Sequence, residues 1–451
     1  MARHYLDQLV VGFLVAAPSL VSASTFSTNC TLPTPSSTVV TSANIRGTFD
    51  ILWSGLFTVF ICIWTVQHLN VPEQRDGRDQ GWRGDLKWAW KGFVTKFKWM
   101  ILTLILPESL LGKALSEYVI GHHSLRLLKK NGRGRLLPKE VDNWTKIHCH
   151  YADMGGFALR TSTLRDDGQS YAIRHLVKED IFILRERGLL ASLPTIRADQ
   201  INDMSKGDFF AKAAAVAQVT WMVIQVGVRS ARGLPITQLE ITACAFAATT
   251  FITYGLWWEK PQAVYVTTEL ELSTPLHYVD VSRNLSEISR ASAFWLYRIF
   301  QHDGNQPSLL RPDEPLGNDS VWLDGTFGGL GVFAIGTIFG SVVLGGIQCA
   351  AWNFEFPSNI EMCLWRYASV VTVAVIPVFA GAGFLFEIAI STDSVKLDYV
   401  LNWTVRALGL VAAMAYIIGR LFLLFETMHS LFHLPPGAFI ATWSMSIPHV
   451  A

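Results

Sequence analysis

The sequence predicts an all-α, polytopic helical membrane protein with about six transmembrane helices plus a re-entrant or interfacial segment. Three observations carry that expectation. Half of the 451 residues are apolar and only 16% are charged, against about 25% charged in ordinary globular chains. Mean hydropathy is +0.30, with 16 Trp. Six stretches are nearly free of charge and long enough to cross about 30 Å of hydrocarbon, and no strand alternation of barrel length occurs. Lys and Arg total 37 and Asp and Glu 36, a formal charge of +1. No global field therefore points to nucleic acid.

Residues 1–23 read as a signal peptide: Arg3 and His4, an apolar core from Leu9 to Ala17, then small residues at Val21-Ser22-Ala23. Residues 24–50 form a lumenal N-terminal segment with a glycosylation sequon at Asn29. The first spanning helix is 51–69, free of Asp, Glu, Lys and Arg.

Residues 70–207 hold 23 of the 37 Lys and Arg against 16 acids, which places this basic segment in the cytosol. Within it, Lys87–Lys98 interleaves basic and aromatic residues, a pattern that suits a helix lying on an anionic leaflet. It leads into Trp99–Gly112, uncharged except for the break at Pro107-Glu108 and read as interfacial or re-entrant. Residues 126–139 add a further basic run, read as a positive-inside signal or a headgroup site. Residues 165–207 read as a small solvated helical region.

Residues 208–258 supply helices two and three (Lys212–Ala231 and Ile236–Trp258), and 259–324 is a cytosolic loop. Residues 325–427 supply helices four to six: Gly325–Phe354, Trp365–Ile390 with Pro377 inside it, and Leu401–Phe425 with Arg406 and Arg420. The tail 428–451 has no Lys, Arg, Asp or Glu and is placed in the lumen. Trp53, Trp64, Trp257, Trp258, Trp352, Trp365 and Trp403 fall near helix ends, where indoles anchor at the interface. An aromatic cage for a cation is the other use of such residues.

Ionisable groups inside spanning helices are costly and need a partner or a task. Depth matching pairs Arg229 with Glu240, and Glu387 with Arg406. Arg420 has no matched acid. Gln218 and Gln225, two turns apart, line one stripe that can glue helices or line a cavity. Glu240 and Glu387 are the candidate catalytic acids if the protein is an enzyme. Cys349 and Cys363 bracket the lumenal loop at 355–364 and form a disulfide candidate. Cys62 and Cys244 read as core residues.

No metal and no cofactor are expected. His429 and His433, at i and i+4, could ligate one ion from a helix, but read as an interfacial helix end stopped by Pro435-Pro436. His148-Cys149-His150 with Asp153 offers a metal cluster or an H-x-x-x-x-D pattern like that of glycerolipid acyltransferases, without the surrounding acyltransferase blocks. Asp166-Asp167 and Asn202-Asp203 with Asp208 lack the spacing for Mg²⁺-bound diphosphate. Phosphate-binding loop, nucleophile elbow and dinucleotide fingerprint are absent from the sequence.

Several blocks resemble a family of fungal polytopic membrane proteins of unknown activity: Arg46–Ser54 running to Trp64–Asn70, Pro235–Glu240 with Trp257–Pro261, Gln348–Asn353 with Leu364–Arg366, and Leu434–Gly437 ending at Ile447–His449. The resemblance implies a fungal multi-pass protein, with a link to secondary metabolism, and brings no catalytic residues. The expected function is transport or scaffolding of lipophilic molecules by an integral membrane protein of the endomembrane system or plasma membrane. Its expected partners are membrane lipids and a lipophilic small molecule, with no nucleic acid. The alternative is a membrane enzyme on an isoprenoid-type substrate, such as a proton-initiated terpene cyclase or an isomerase.

Overall fold

Uncharged runs that must bond their own backbone in hydrocarbon become helices, and among the described residues six helices are long and apolar enough to cross a membrane. The computed structural model describes residues 39–40, 46–75, 77–131, 138–162, 171–205, 209–273, 290–292, 315–318, 320–322, 329–390 and 395–443. The signal peptide at 1–23 and the sequon at Asn29 lie outside the described residues.

In chain order the apolar helices are α1 (Thr48–Thr65), α8 (Phe209–Ala231), α9 (Gln238–Leu256), α10 (Gly329–Cys349), α11 (Asn359–Ile390) and α12 (Val395–His429). They alternate between a "Thr48 end" and a "Thr65 end" of the bundle. The last apolar stretch runs Ala407–His433, several residues beyond the expected Leu401–Phe425. Two short 3-10 turns, Ser430–His433 and Pro436–Phe439, close the chain over the Thr48 end.

Between α1 and α8 stand α2 (Trp82–Ile105) and α3 (Pro107–Asn131). They pass the same length and apolarity test together, but the chain bends by 105° between them. The cause is local: Pro107 has no N–H to give and restricts the residue before it, and Leu106 leaves the helical region at φ −130°, ψ 56°. Pro107 then starts α3, where its missing donor costs nothing.

Within the segment 70–207, α3 packs along α10 in the bundle. Small residues make this possible. A Cβ added at Gly336 would lie 2.8 Å from the Gly112 Cα, and one at Gly340 would lie 3.0 Å from the Glu108 Cα. The sequence Gly336-x-x-x-Gly340 thus lets the backbones of α3 and α10 touch.

The described residues are mostly helical, as the sequence predicts, with a small sheet added. After α4 (Pro138–Asn143) and α5 (Lys146–Asp153), β1 (Phe157–Ser162) pairs antiparallel with β2 (Tyr171–Leu176), Phe157 opposite Leu176. β3 (Thr268–Leu270), beyond α9, adds parallel to β1. The charge alternation read as helical at 165–207 is in part this hairpin. Ile173, Arg174, His175 and Leu176 are all buried, so this strand is covered on both faces. A short β4 (Arg290–Ser292) and β5 (Ser320–Trp322) form a separate antiparallel pair.

With α6 (Lys178–Glu186) and α7 (Ala198–Met204), the sheet encloses a core around Trp144, Cys149, Tyr151, Phe157, Ile181 and Leu184, completed by Leu125 and Leu128 of α3. Each such large side chain contributes roughly 1.5–3 kcal/mol on burial. The C-terminal half of α3 is therefore shared between the bundle and this region at the Thr65 end.

Candidate functional site

Three buried polar clusters cross the bundle. The first lies at the Thr48 end, where α9 begins with a capping box: Glu240 N donates to Thr237 Oγ1 (3.2 Å) and Thr237 N donates to Glu240 Oε2 (2.9 Å). The other carboxylate oxygen, Oε1, accepts from Arg46 Nη2 at 2.6 Å and from Gln225 Nε2 at 3.1 Å. Both oxygens of Glu240 are engaged and the side chain is buried.

The expected Arg229–Glu240 ion pair is corrected here. Arg46, from the segment before α1, takes that place. Arg229 instead spends its donors on four backbone carbonyls: Pro235 (2.9 Å), Gly437 (3.1 Å), Ala438 (3.0 Å) and Ile440 (2.9 Å). A planar guanidinium with five donors suits such a ring of carbonyls, which ties the C-terminal turns to the α8–α9 connection.

The second cluster lies inside the bundle, where α3 meets α12. Tyr416 Oη donates to Glu108 Oε1 at 2.8 Å, and one turn on Arg420 Nη1 donates to Gln348 Oε1 at 3.3 Å. The Arg420 guanidinium also sits 5.2 Å over the Phe246 ring. All four polar residues are at most 1% exposed, yet Glu108 Oε2, Arg420 Nε and Nη2, and Gln348 Nε2 have no hydrogen-bond partner. A cavity of about 10 Å³, lined by residues including Pro107, Phe246, Thr249 and Thr253, adjoins this cluster and has room for about one water. Arg420, unmatched in the sequence, thus shares its surroundings with Glu108, which belongs to the stretch 99–112 read as interfacial or re-entrant.

The third cluster is at the Thr65 end. Glu117 Oε2 accepts from Lys260 Nζ (2.8 Å) and Trp257 Nε1 (2.7 Å), and Lys113 lies 3.6 Å from Oε1. Beside it, burial pushes the His68 imidazole down to about 3, and burial does the same to His150. Both rings are therefore neutral at physiological pH.

Several sequence expectations resolve around these clusters. Gln218 and Gln225 serve as glue: Gln218 Nε2 donates to Thr58 Oγ1 at 3.1 Å, and Gln225 reaches Glu240. Trp257 and Trp365 are not interfacial anchors but buried donors, Trp365 giving its Nε1–H to the Gln348 carbonyl at 3.3 Å. Trp53 and Trp258 do face outward.

The Cys349–Cys363 disulfide is corrected too, since both cysteines are free. The loop is held instead by Gln238 Nε2 on the Glu355 carbonyl (2.9 Å) and Arg366 Nε on the Trp352 carbonyl (2.9 Å). The side chains of Glu387 and Arg406 lie outside the described residues.

The H-x-x-x-x-D pair is not brought together. The His148 ring nitrogens meet Thr145 Oγ1 (2.7 Å) and the Ile196 carbonyl (2.7 Å), while Asp153 pairs with Lys178 at 2.6 Å. The His429 and His433 rings lie with centroids 5.1 Å apart and planes tilted by 43°, and the structure brings two carboxylates, Glu361 and Glu426, to His429. Sequence spacing could have flagged Glu426, three residues before His429, but not Glu361 on another helix.

A family model described as a family of unknown function, DUF8562, matches residues 14–293. That span includes α1 to α9 with Arg46, Glu108, Glu117, Arg229 and Glu240, and ends before α10. Neither a curated protein nor a solved structure matches. The chain belongs to the DUF8562 family.

Proposed function

We propose that this protein is a non-enzymatic, multi-pass membrane protein that carries or scaffolds lipophilic molecules, with α2 as the surface that engages lipid. The observation that supports this reading is the exposed face of α2. Trp82, Leu86, Trp90, Phe93, Phe97 and Ile101 are all exposed and recur every three or four residues, so they share one stripe. Trp90, Phe93 and Phe97 stack in a ladder. Arg83, Lys87, Lys91 and Lys98 border the stripe. A helix of this make lies in the interface plane, its rings among acyl chains and its cations against anionic headgroups.

In this reading the Thr65 end, with most of the basic residues, faces the cytosol and the Thr48 end faces the lumen of a secretory-pathway compartment. A fungal source and a role beside secondary metabolism follow from the resemblance of the Arg46–Ser54 and Pro235–Glu240 blocks.

The test is transfer of a fluorescent long-chain lipid analogue between vesicles containing the purified protein. The expected result is faster transfer than in protein-free vesicles, reduced several-fold in Trp90→Ser/Phe93→Ser/Phe97→Ser at unchanged thermal stability. Equal transfer with and without protein overturns the reading.

One observation favours the enzymatic alternative: Glu108 keeps a free carboxylate oxygen beside Tyr416 in a water-poor interior, a place that suits a proton donor. The adjoining cavity has room for about one water and none for a polyprenyl chain, so this reading ranks second. Turnover of a polyprenyl substrate by the detergent-purified protein, abolished by Glu108→Gln, would promote it.

A further inference from the structure

We propose that Glu361, Glu426 and His429 form a divalent-metal site at the Thr48 end of the bundle, and that its ion is Zn²⁺. The sequence Glu426-Thr-Met-His429 places a carboxylate and an imidazole one turn apart on α12. Glu361, in the first turn of α11, faces them. One ligand atom from each residue lies within 4.8 Å of the other two. His429 Nδ1 is 3.5 Å from Glu361 Oε1 and 3.7 Å from Glu426 Oε2. An ion about 2.0–2.2 Å from each ligand needs ligand separations of roughly 3–4 Å, so little movement is required.

Charge and satisfaction point the same way. Two carboxylates converge, and the ionic neighbour they share is one imidazole. Glu426 is 1% exposed, and its Oε1 has no hydrogen-bond partner. A buried carboxylate in that condition calls for a cation. A helix-capping role explains only part of Glu361: its Oε2 accepts from Ser358 Oγ at 2.9 Å, which leaves Oε1 turned towards His429. In the proposed site that same hydrogen bond orients the ligand. The ring of His433 lies beside His429, centroids 5.1 Å apart. Oxygen and imidazole donors together suit Zn²⁺ better than Mg²⁺, which prefers all-oxygen sites, or Cu(I), which prefers sulfur. The bound ion would clamp α11 to α12.

The experiment uses the full chain in detergent, stripped with EDTA and titrated with Zn²⁺ by calorimetry. One equivalent with low-micromolar or tighter affinity is expected, weakened at least tenfold in Glu426→Gln and in His429→Ala. Each metal-free variant is checked for unchanged gel-filtration profile and thermal midpoint. Wild-type affinity in both variants, or no Zn²⁺ uptake by the unmodified chain, overturns the proposal. Should a variant fail to fold, Co²⁺ loaded into the wild-type chain decides. Intense ligand-field bands of a four- or five-coordinate site support the proposal, and the weak spectrum of aqueous Co²⁺ overturns it.

Discussion

The Arg46 guanidinium meets the Glu240 carboxylate at 2.6 Å across 194 positions of sequence, with both side chains at most 2% exposed. The segment before the first apolar helix thereby neutralises the start of the third. Losing one partner of such a pair leaves an unpaired buried charge, at a cost of about 3–5 kcal/mol. Arg46→Ala and Glu240→Ala are each expected to lower stability by that order in mixed micelles. The double variant should cost less than the sum by about 0.5–3 kcal/mol. Unfolding curves for the four proteins check this, and strict additivity would show that the two residues do not interact.

The α3–α10 crossing predicts a contrast between two glycines of one helix. Gly336→Leu forces a side chain into Gly112 and Leu115, whereas Gly346 has open space around its Cβ position. Overpacking costs typically 1–3 kcal/mol, so Gly336→Leu should lower the thermal midpoint and Gly346→Leu should leave it nearly unchanged. Equal effects would place the close approach elsewhere.

Acid should weaken the Thr65 end. His68 and His150 are held at about 3 by burial, below an unfolded value of about 6.5. Between these values the unfolded chain binds more protons than the folded one, so stability rises with pH across this window and is lost as pH falls below about 6.5. Glu117, Lys260, Lys178 and His122 are the charged or titratable groups around His150. The loss is about 2 kcal/mol for each histidine by pH 5. The thermal midpoint of wild type should fall between pH 7.5 and pH 5, and that slope should flatten in His68→Gln/His150→Gln. An identical slope in the double variant would remove these residues as the cause.

The exposed face of α2 predicts two environments on one helix. Nitroxide labels at Phe93→Cys and Phe97→Cys should be accessible to oxygen and shielded from a water-soluble nickel chelate. Labels at Lys87→Cys and Lys91→Cys should show the reverse. Uniform exposure to the chelate would remove α2 from the lipid surface.

The apolar helices were legible because uncharged length is a local property of the chain, and the break at Pro107 was legible because proline acts on its immediate neighbours. What could not be read was which segments meet. Glu108 sat in the stretch 99–112, read as interfacial or re-entrant from its length and basic flanks, and Glu117 lay just beyond it. Their burial depends on Gly112, Gly336 and Gly340 admitting α3 to the bundle, a relation spread over more than two hundred residues. Depth matching located Glu240 and Arg229 at the same end but could not foresee Arg46, which lies outside any spanning run. The β1–β2 pair was missed because Phe157–Leu159 and Ile173–Leu176 are buried on both faces, polar Arg174 and His175 included, so no period-two alternation marks it. Glu361 and His429 come from separate helices, so only the fold joins them.

Cysteine labelling in sealed vesicles tests the central claim, that six helices cross the membrane while the bent α2–α3 pair returns to its starting face. One cysteine at a time replaces the exposed Lys129, Asp203 or Arg232 in a chain whose Cys30 and exposed Cys363 are serine, and each is challenged with a membrane-impermeant maleimide, the parent without the added cysteine giving the background. Positions 129 and 203 should react from one side and position 232 from the other. Reaction of 129 and 203 from opposite sides, or of 203 and 232 from the same side, would contradict it.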